Sequence, residues 1–371
     1  MHVEGYFQTD ARFYPASGSE APPSTYLIRR ARVVVEGTVA RYFTFHVIPD
    51  IGRGTASLAE ATMGVRFADA LNLLVGQTKP RVGLEPAQKS ADLHLIERGL
   101  PAYLLVGRDV GIDVWGHLAG QVVSYDVGVF NGAPDYGTSN QDLGNAKDLV
   151  GRVFITPFAG RNGHAPVDLG IGLGASTGRE QGTTDVPLTS SIRTPGQATF
   201  FEYRAEDPAS SVIADGRRSR VDPQAYLYRG SFGVMMEYAQ SRHAVRRGLT
   251  QGTFRHRAWQ IAGSWFLTGE RAGFGIIAPK RELDPARGAW GAVELAARIE
   301  RADADPDAFP VFADPTVSAR RAQGVGIGVN WYFARRTKLM VEYERTTFRG
   351  GAPTGDRMPE NFLAARLQVS H

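Results

Sequence analysis

The chain has 371 residues, no cysteine, 43 glycines and 21 prolines, and its 42 basic and 38 acidic side chains leave a net charge of only +4. Disulfide scaffolds and thiolate chemistry are excluded, and so small a charge excess makes no case for nucleic acid. No apolar run reaches eighteen residues, so no helix is expected to cross a membrane, but a β-barrel needs strands of only about 9–11 residues with alternate ones facing lipid.

The first stretch, "MHVEGYFQTDARFY", has neither the basic start nor the apolar core of a secretion signal and reads as the opening of a mature chain, with a strand over 3–14. Alternation then recurs from end to end. Residues 25–40 put Leu27, Ala31, Val33, Val35 and Val39 on one face and Arg30, Arg32, Glu36 and Thr38 on the other. Strands follow at 42–49, 56–67, 71–79, 109–118, 121–131 and 146–156, the last opposing Leu149, Gly151, Val153 and Ile155 to Asp148, Arg152 and Thr156. Others fall at 166–177, 219–229, 231–242, 253–267, 288–301, 321–333, 337–348 and 360–370, which makes sixteen. Charges sit at mid-strand on the second face. That face is open water in a sandwich and the lumen in a membrane barrel, so alternation alone leaves both folds open.

Connection lengths favour the barrel. Even-numbered strands end in tight turns near 41, at 68–70, 119–120, 230–231 and 334–337, whereas 15–24, 80–108, 132–145, 178–218 and 302–320 are long. Short turns at one end and long loops at the other describe a transmembrane barrel. Segment 268–287 breaks the rule by being long where a turn is due. "ATFFEYRA" (198–205) is assigned to the long loop 178–218 because an even strand count is expected. Aromatic residues near strand ends, Tyr42-Phe43, Trp115, Tyr226, Tyr228 and Trp331-Tyr332-Phe333, suit interfacial girdles.

Chemistry-bearing motifs are few. "GIGLGASTG" (170–178) lies in a strand pattern with no helix after it, unlike a dinucleotide loop. The eight histidines have no ligand spacing, so neither a metal nor another cofactor is expected. Ser241 and His243 lack a catalytic signature, and no enzyme activity is expected.

"ERGLP…GRDVGIDVWG…YDVGVFNG" (97–132) closely resembles the phosphate-selective porin family, the O and P type, of Gram-negative outer membranes. "YLIRRARVVVEGT", "VGQTKPRVGLE", "LTGE" followed by "GAWGAVEL", and "GVGIGVNWYF" match the same family in its order, from about residue 5 to residue 370. The resemblance implies one sixteen-stranded antiparallel barrel over 1–371, a homotrimer in outer-membrane lipid and lipopolysaccharide, and a third loop, 80–108, folded inward as a constriction. A non-helical segment at membrane depth is tolerable there because the lumen is wet.

It further implies passive flow of phosphate or a related oxyanion, with chloride also permeant, past basic residues. Arg suits oxyanions because its planar guanidinium holds two oxygens at once. Arg30 and Arg98 match the family's constriction arginines. Lys89 lies two residues from the central lysine position, where this chain has Ala91. Arg32, Arg66, Arg152 and Arg298 have the phase to line the wall. The alternative for Arg30 and Arg98 is a salt bridge to Glu36, Glu85 or Glu97 that merely fixes the loop. Lumen-phase Asp126, Glu237, Glu300, Glu342 and Glu344 would weaken a positive field, which leaves room for a general small-anion or organic-acid porin. A non-conducting structural or adhesion barrel built around 178–218 is a further reading. The chain closes on "RLQVSH" without the terminal aromatic common to outer-membrane strands.

Overall fold

A computed structural model describes all residues except 19, 139–144, 160–166, 206–209 and 371. Its strands are β1 (His2–Phe13), β2 (Thr25–Val39), β3 (Phe43–Asp50), β4 (Ser57–Ala68), β5 (Leu71–Thr78), β6 (Asp109–Leu118), β7 (Val123–Phe130), β8 (Asp148–Ile155) and β9 (Asp168–Gln181). There follow β10 (Ile192–Arg193), β11 (Thr199–Phe201), β12 (Val212–Arg229), β13 (Phe232–Arg247), β14 (Thr250–Phe266), β15 (Ala292–Asp303), β16 (Ala319–Ala334), β17 (Thr337–Gly350) and β18 (Glu360–Ser370). Sixteen of them close into one antiparallel barrel in which β18 pairs with β1 and β12 with β9. The remaining two, β10 and β11, form a small hairpin inside the loop after β9. No helix is long and apolar enough to cross a membrane.

Outward positions are apolar and exposed, as lipid requires: Val325 and Ile327 on β16, Ile171 and Leu173 on β9, Leu149 and Val153 on β8. At the turn end, outward rings pair up, Phe232 on Trp265 at 5.4 Å and Trp331 against Phe333 at 4.8 Å. Tyr226, Tyr228 and Tyr332 are different. They turn inward and are buried, Tyr332 donating to Glu294 at 2.8 Å, so they pack inside the lumen's turn end instead of joining a girdle. Adjacent residues on a strand must face opposite sides, which splits Trp331 from Tyr332.

Three connections position the lumen and the loops. β9 and β12 pair on beyond the apolar pattern, Asp215 opposite Gln181 and Arg218 opposite Gly178, so the long loop spans 182–211 and not 178–218. Once strands rise past the lipid, outward residues need no longer be apolar, and periodicity fades while the ladder continues. β13 and β14 are joined at the loop end by Gly248 and Leu249 alone, with Gly248 at φ 58°. Conversely 267–291 is long at the turn end, and it folds inward, stacking Phe274 on Tyr226 at 5.3 Å.

One local irregularity matters for the lumen. The β1–β2 register shifts between Gln8 and Thr9, opposite Arg30 and Ile28, and Arg29 becomes an extra residue. Leu27, expected beside Val33 on the lipid face, pairs with the inward Asp10 and lies on the lumen side, whereas Ile28 is exposed outward. The bulge therefore aims both Arg29 and Arg30 into the lumen.

Candidate functional site

Residues 79–108, between β5 and β6, lie inside the barrel, and most of their side chains are buried. A backbone that makes so little regular structure needs partners for its N–H and C=O groups, each of which would otherwise cost about 1–3 kcal/mol. The wall of β12–β18 supplies them. Glu237 accepts from the Leu84 amide at 2.6 Å, Glu300 from Leu100 at 2.8 Å, and Glu342 from Ile96. In return, Lys338 donates to the Leu93 carbonyl at 2.8 Å, Asn330 to His94 at 2.7 Å, and Gln224 to Val82 at 2.7 Å. Three of the lumen acids expected to weaken a positive field, Glu237, Glu300 and Glu342, are thus buried beneath the loop as its anchors, while Glu344 pairs with Arg298 and Asp126 with Arg81.

Two charge clusters hold the loop in place. Arg298, wholly buried, lies 2.6 Å from Glu344, 3.3 Å from Glu300 and 3.9 Å from both Glu342 and Glu85, and donates to the Glu97 carbonyl at 3.0 Å. The Glu97 carboxylate receives Arg12, Arg29 at 2.6 Å and Arg366 at 3.3 Å. Burial opposes its ionisation, but the Arg29 and Arg12 charges outweigh that and hold Glu97 well below the usual carboxylate range. A group with a depressed pKa stabilises the fold above its unfolded value and loses that contribution only as pH falls through the lower one. Glu97 should therefore keep the loop seated through ordinary acidic buffers. Open-channel current noise recorded from about pH 4 to pH 7 should stay flat in the native chain and be raised throughout in Glu97→Gln.

With the loop pressed against β12–β18, free space is left along β1–β5. A cavity of about 510 Å³ at the loop end is lined by Arg29, Arg30, Arg32, Arg53, Lys79, Arg98, Arg108 and Arg193 against one acid, Asp135. Asp135 is itself engaged by Arg220 at 2.6 Å and Ser241 at 2.7 Å. A second cavity of about 310 Å³ opens toward the turn end, with Lys89, Arg81 and Arg336 facing Glu4, Glu36, Glu60 and Asp92. Arg32, Lys79, Ser90 and Arg108 line both and form the neck between them.

Among the described residues, Arg30, Arg53, Lys79, Arg98 and Arg193 have no carboxylate within ion-pair distance. The buried Nε atoms of Arg30 and Arg108 have no hydrogen-bond partner. Arg32 is held by Asp50 at 2.7 Å and the Tyr6 hydroxyl at 2.6 Å, and Arg108 meets Glu60 at only 3.4 Å. Burial, reinforced by the Arg98 and Arg108 charges, pushes the Lys79 ammonium well below its usual value. A concentration of unpaired positive charge around a wet cavity is a site that an anion relieves.

Of the residues singled out in the sequence, Arg30, Arg32 and Arg98 converge on the upper cavity, and Lys89 joins Arg32 at the lower one. Arg98 also donates to loop carbonyls, Gln88 at 2.8 Å and Glu85 at 3.2 Å, so it braces the loop while facing the cavity. Arg66, Arg152 and Arg298 line neither cavity. Arg66 is exposed at the turn end, Arg152 is bonded to Gln224 at 2.7 Å, and Arg298 lies inside its cage of glutamates. Arg29, Arg53, Lys79, Arg108 and Arg193 were not read from the sequence. Lys79 and Arg108 bracket the inward loop at its two ends, a positional signal that could have revealed them. Arg29 could not be found that way, because simple alternation points it at lipid. Ser241 donates to Asp135 and not to His243, so no nucleophile–base pair forms there.

The family described as phosphate-selective porin O and P matches residues 1–371. Solved structures with a similar fold include the outer membrane channel DcaP of Acinetobacter baumannii, at 10% identity and TM-score 0.64, covering 100% of this chain and 96% of that one. A loop L8 deletion mutant of OmpT, an outer membrane protein of Vibrio cholerae, has 13% identity, TM-score 0.60 and coverage of 100% and 98%. In-vitro folded OmpT in its trimer form has 12% identity, TM-score 0.59 and the same coverage. No curated protein sequence matches the chain.

Proposed function

The chain belongs to the phosphate-selective porin O and P family and forms an outer-membrane channel, and on that premise we propose that it is a passive, anion-preferring pore for phosphate or a related oxyanion. The observation that carries this reading is the loop-end cavity, where five cations without a carboxylate partner stand around one engaged acid. An anion entering from the loop end meets Arg53 and Arg193 first, then Arg30 and Arg98, and leaves through the neck at Arg32, Lys79 and Arg108. Guanidinium groups replace part of its hydration shell, and the series of sites lets it move by exchange instead of being trapped. The mixed charges of the lower cavity hold an anion less well and favour its release. No bond is made or broken. A homotrimer is the expected assembly, consistent with the trimer form of the Vibrio cholerae protein.

Single channels in a planar bilayer test this. Reversal potentials in a KCl gradient should be anion-selective, and phosphate at millimolar concentration or below should block chloride current. Arg98→Ala should relieve the block by roughly tenfold, the loss of one or two charge-assisted hydrogen bonds. If phosphate adds only its bulk conductivity, the pore is a general one for small anions or organic acids. If well-inserted protein carries no current, the channel reading fails and a structural barrel remains.

A further inference from the structure

The outer surface of the barrel carries a second basic feature, away from the pore. Along β14–β17, apolar outward residues give way to arginine toward the loop end: Ile261 and Trp259 to Arg257, Ile299 to Arg301, Val325 to Arg321, Tyr343 to Arg345 and Arg349. Strand register aligns part of this set in one row, with Arg257 opposite Asp303, Asp303 opposite Arg321, and Arg321 opposite Arg349. A shift in the ladder between Ala319 and Arg321 leaves Arg320 exposed as well.

Loops 304–318 and 351–359 rise beside the row and close a cleft of about 710 Å³, where Arg257, Arg301, Arg320, Arg321 and Arg349 meet only Asp303 and Asp356. Asp303 is already taken by Arg301 at 2.6 Å and Arg321 at 2.7 Å, and Asp356 accepts from the Gly350 amide at 2.7 Å. Among the described residues, Arg257 and Arg349 have no ion pair. Like charges directly across a sheet are destabilising, as Arg321 and Arg349 are here, unless an anion lies between them.

Below the cleft, on the same strands, lies an apolar groove of about 770 Å³ walled by Trp265, Leu295, Ile327, Val341 and Tyr343. Its depth comes from two small outward residues, Gly263 and Ala297. Arg301 is four residues above Ala297 and Arg257 six below Gly263 in number, an offset of roughly 13–20 Å between groove and arginines. The pair of features has the shape of an amphiphile: charge-accepting above, hydrocarbon-accepting below.

We propose that this face seats a phosphorylated lipid of the outer leaflet, with phosphate on Arg257, Arg321 and Arg349 and acyl chain in the groove over Gly263 and Ala297. Free phosphate would have no use for the groove. An apolar protein segment would leave the arginines unmet. The proposal rests on the outer-membrane location and not on what the pore conducts, so channel recordings and lipid binding fail or succeed separately.

Native mass spectrometry of the detergent-purified full chain tests it, with bis-phosphorylated lipid A as the probe and dephosphorylated lipid A as its control. The phosphorylated lipid should bind at least about tenfold more tightly than the control, given the attraction of several arginines for an anionic headgroup. The triple variant Arg257→Gln, Arg321→Gln, Arg349→Gln should abolish that preference. Gly263→Trp, whose Cβ meets only the Gly233 carbonyl at 3.6 Å, should weaken both lipids by filling the groove. Equal binding of the two lipids by the native chain overturns the proposal, as does their exclusion by a neighbouring subunit. Displacement of the lipid by millimolar inorganic phosphate would instead mark a free-phosphate site and refute the lipid.

Discussion

Replacing Lys79 with Met and Arg108 with Gln is expected to collapse anion selectivity while leaving a conducting channel. Both residues line the neck where the two cavities meet, and with Arg32 they are, among the described residues, the charged side chains that line both cavities. At an effective dielectric constant near 20, one charge about 6 Å from the ion is worth roughly 3 kcal/mol, and screening reduces this to about 1–2 kcal/mol. Two such losses, about 2–4 kcal/mol together, should lower the anion-to-cation permeability ratio by a factor of about 30–700. Arg32 is partly offset by Asp50 at 2.7 Å and cannot replace them. Since Lys79 is pushed well below its usual pKa, its positive charge is lost at a lower pH than that of an ordinary lysine. Selectivity of the native pore should therefore decline with rising pH sooner than an ordinary lysine would dictate, and Lys79→Met should remove that decline. Reversal potentials in a KCl gradient decide the matter. An unchanged ratio in the double variant would place the filter elsewhere.

Arg298→Met should be the most damaging single substitution in the lumen. The guanidinium is completely buried and is the counter-charge shared by Glu300, Glu344, Glu342 and Glu85. Its removal leaves carboxylates facing one another without compensation, a situation that costs about 3–5 kcal/mol. The same acids hold the amides of Ile96 and Leu100, so the inward loop should loosen with them. Two readouts follow: a lower urea midpoint for unfolding in detergent, and a larger, noisier single-channel conductance as the loop leaves the wall. Adding Glu300→Gln and Glu344→Gln should restore much of the stability, because the destabilisation comes from the stranded charge and not from the lost volume. A midpoint unchanged in Arg298→Met would show that the cluster is not what anchors the loop.

Three lumen arginines look alike in the sequence. Arg298, Arg32 and Arg98 all sit in lumen phase or in the inward segment, yet one is a buried clamp, one is half neutralised at the neck and one braces the loop while facing the cavity. The difference lies in which acids fold back onto each, and those acids are as much as 213 residues away in the chain, as between Glu85 and Arg298.

Period-two alternation over short runs was enough to determine the strands, since a residue on a membrane barrel must face either lipid or lumen and each choice leaves its mark in polarity. The asymmetry of turn lengths added the closed barrel, and the stretch from Glu97 to Gly132 added the family and the inward loop. Strand ends were less legible: β9 and β12 pair beyond the lipid, where outward residues owe nothing to hydrocarbon. The direction of Arg29 was hidden by a bulge, because one extra residue reverses facing without changing composition. Above all, only the tertiary structure decided which lumen charges are available to an ion. Glu237, Glu300 and Glu342 are consumed by the backbone of residues 84–100, and that pairing depends on where a long loop lies against a distant wall. Local pattern records what each residue faces. It does not record what arrives to cover it.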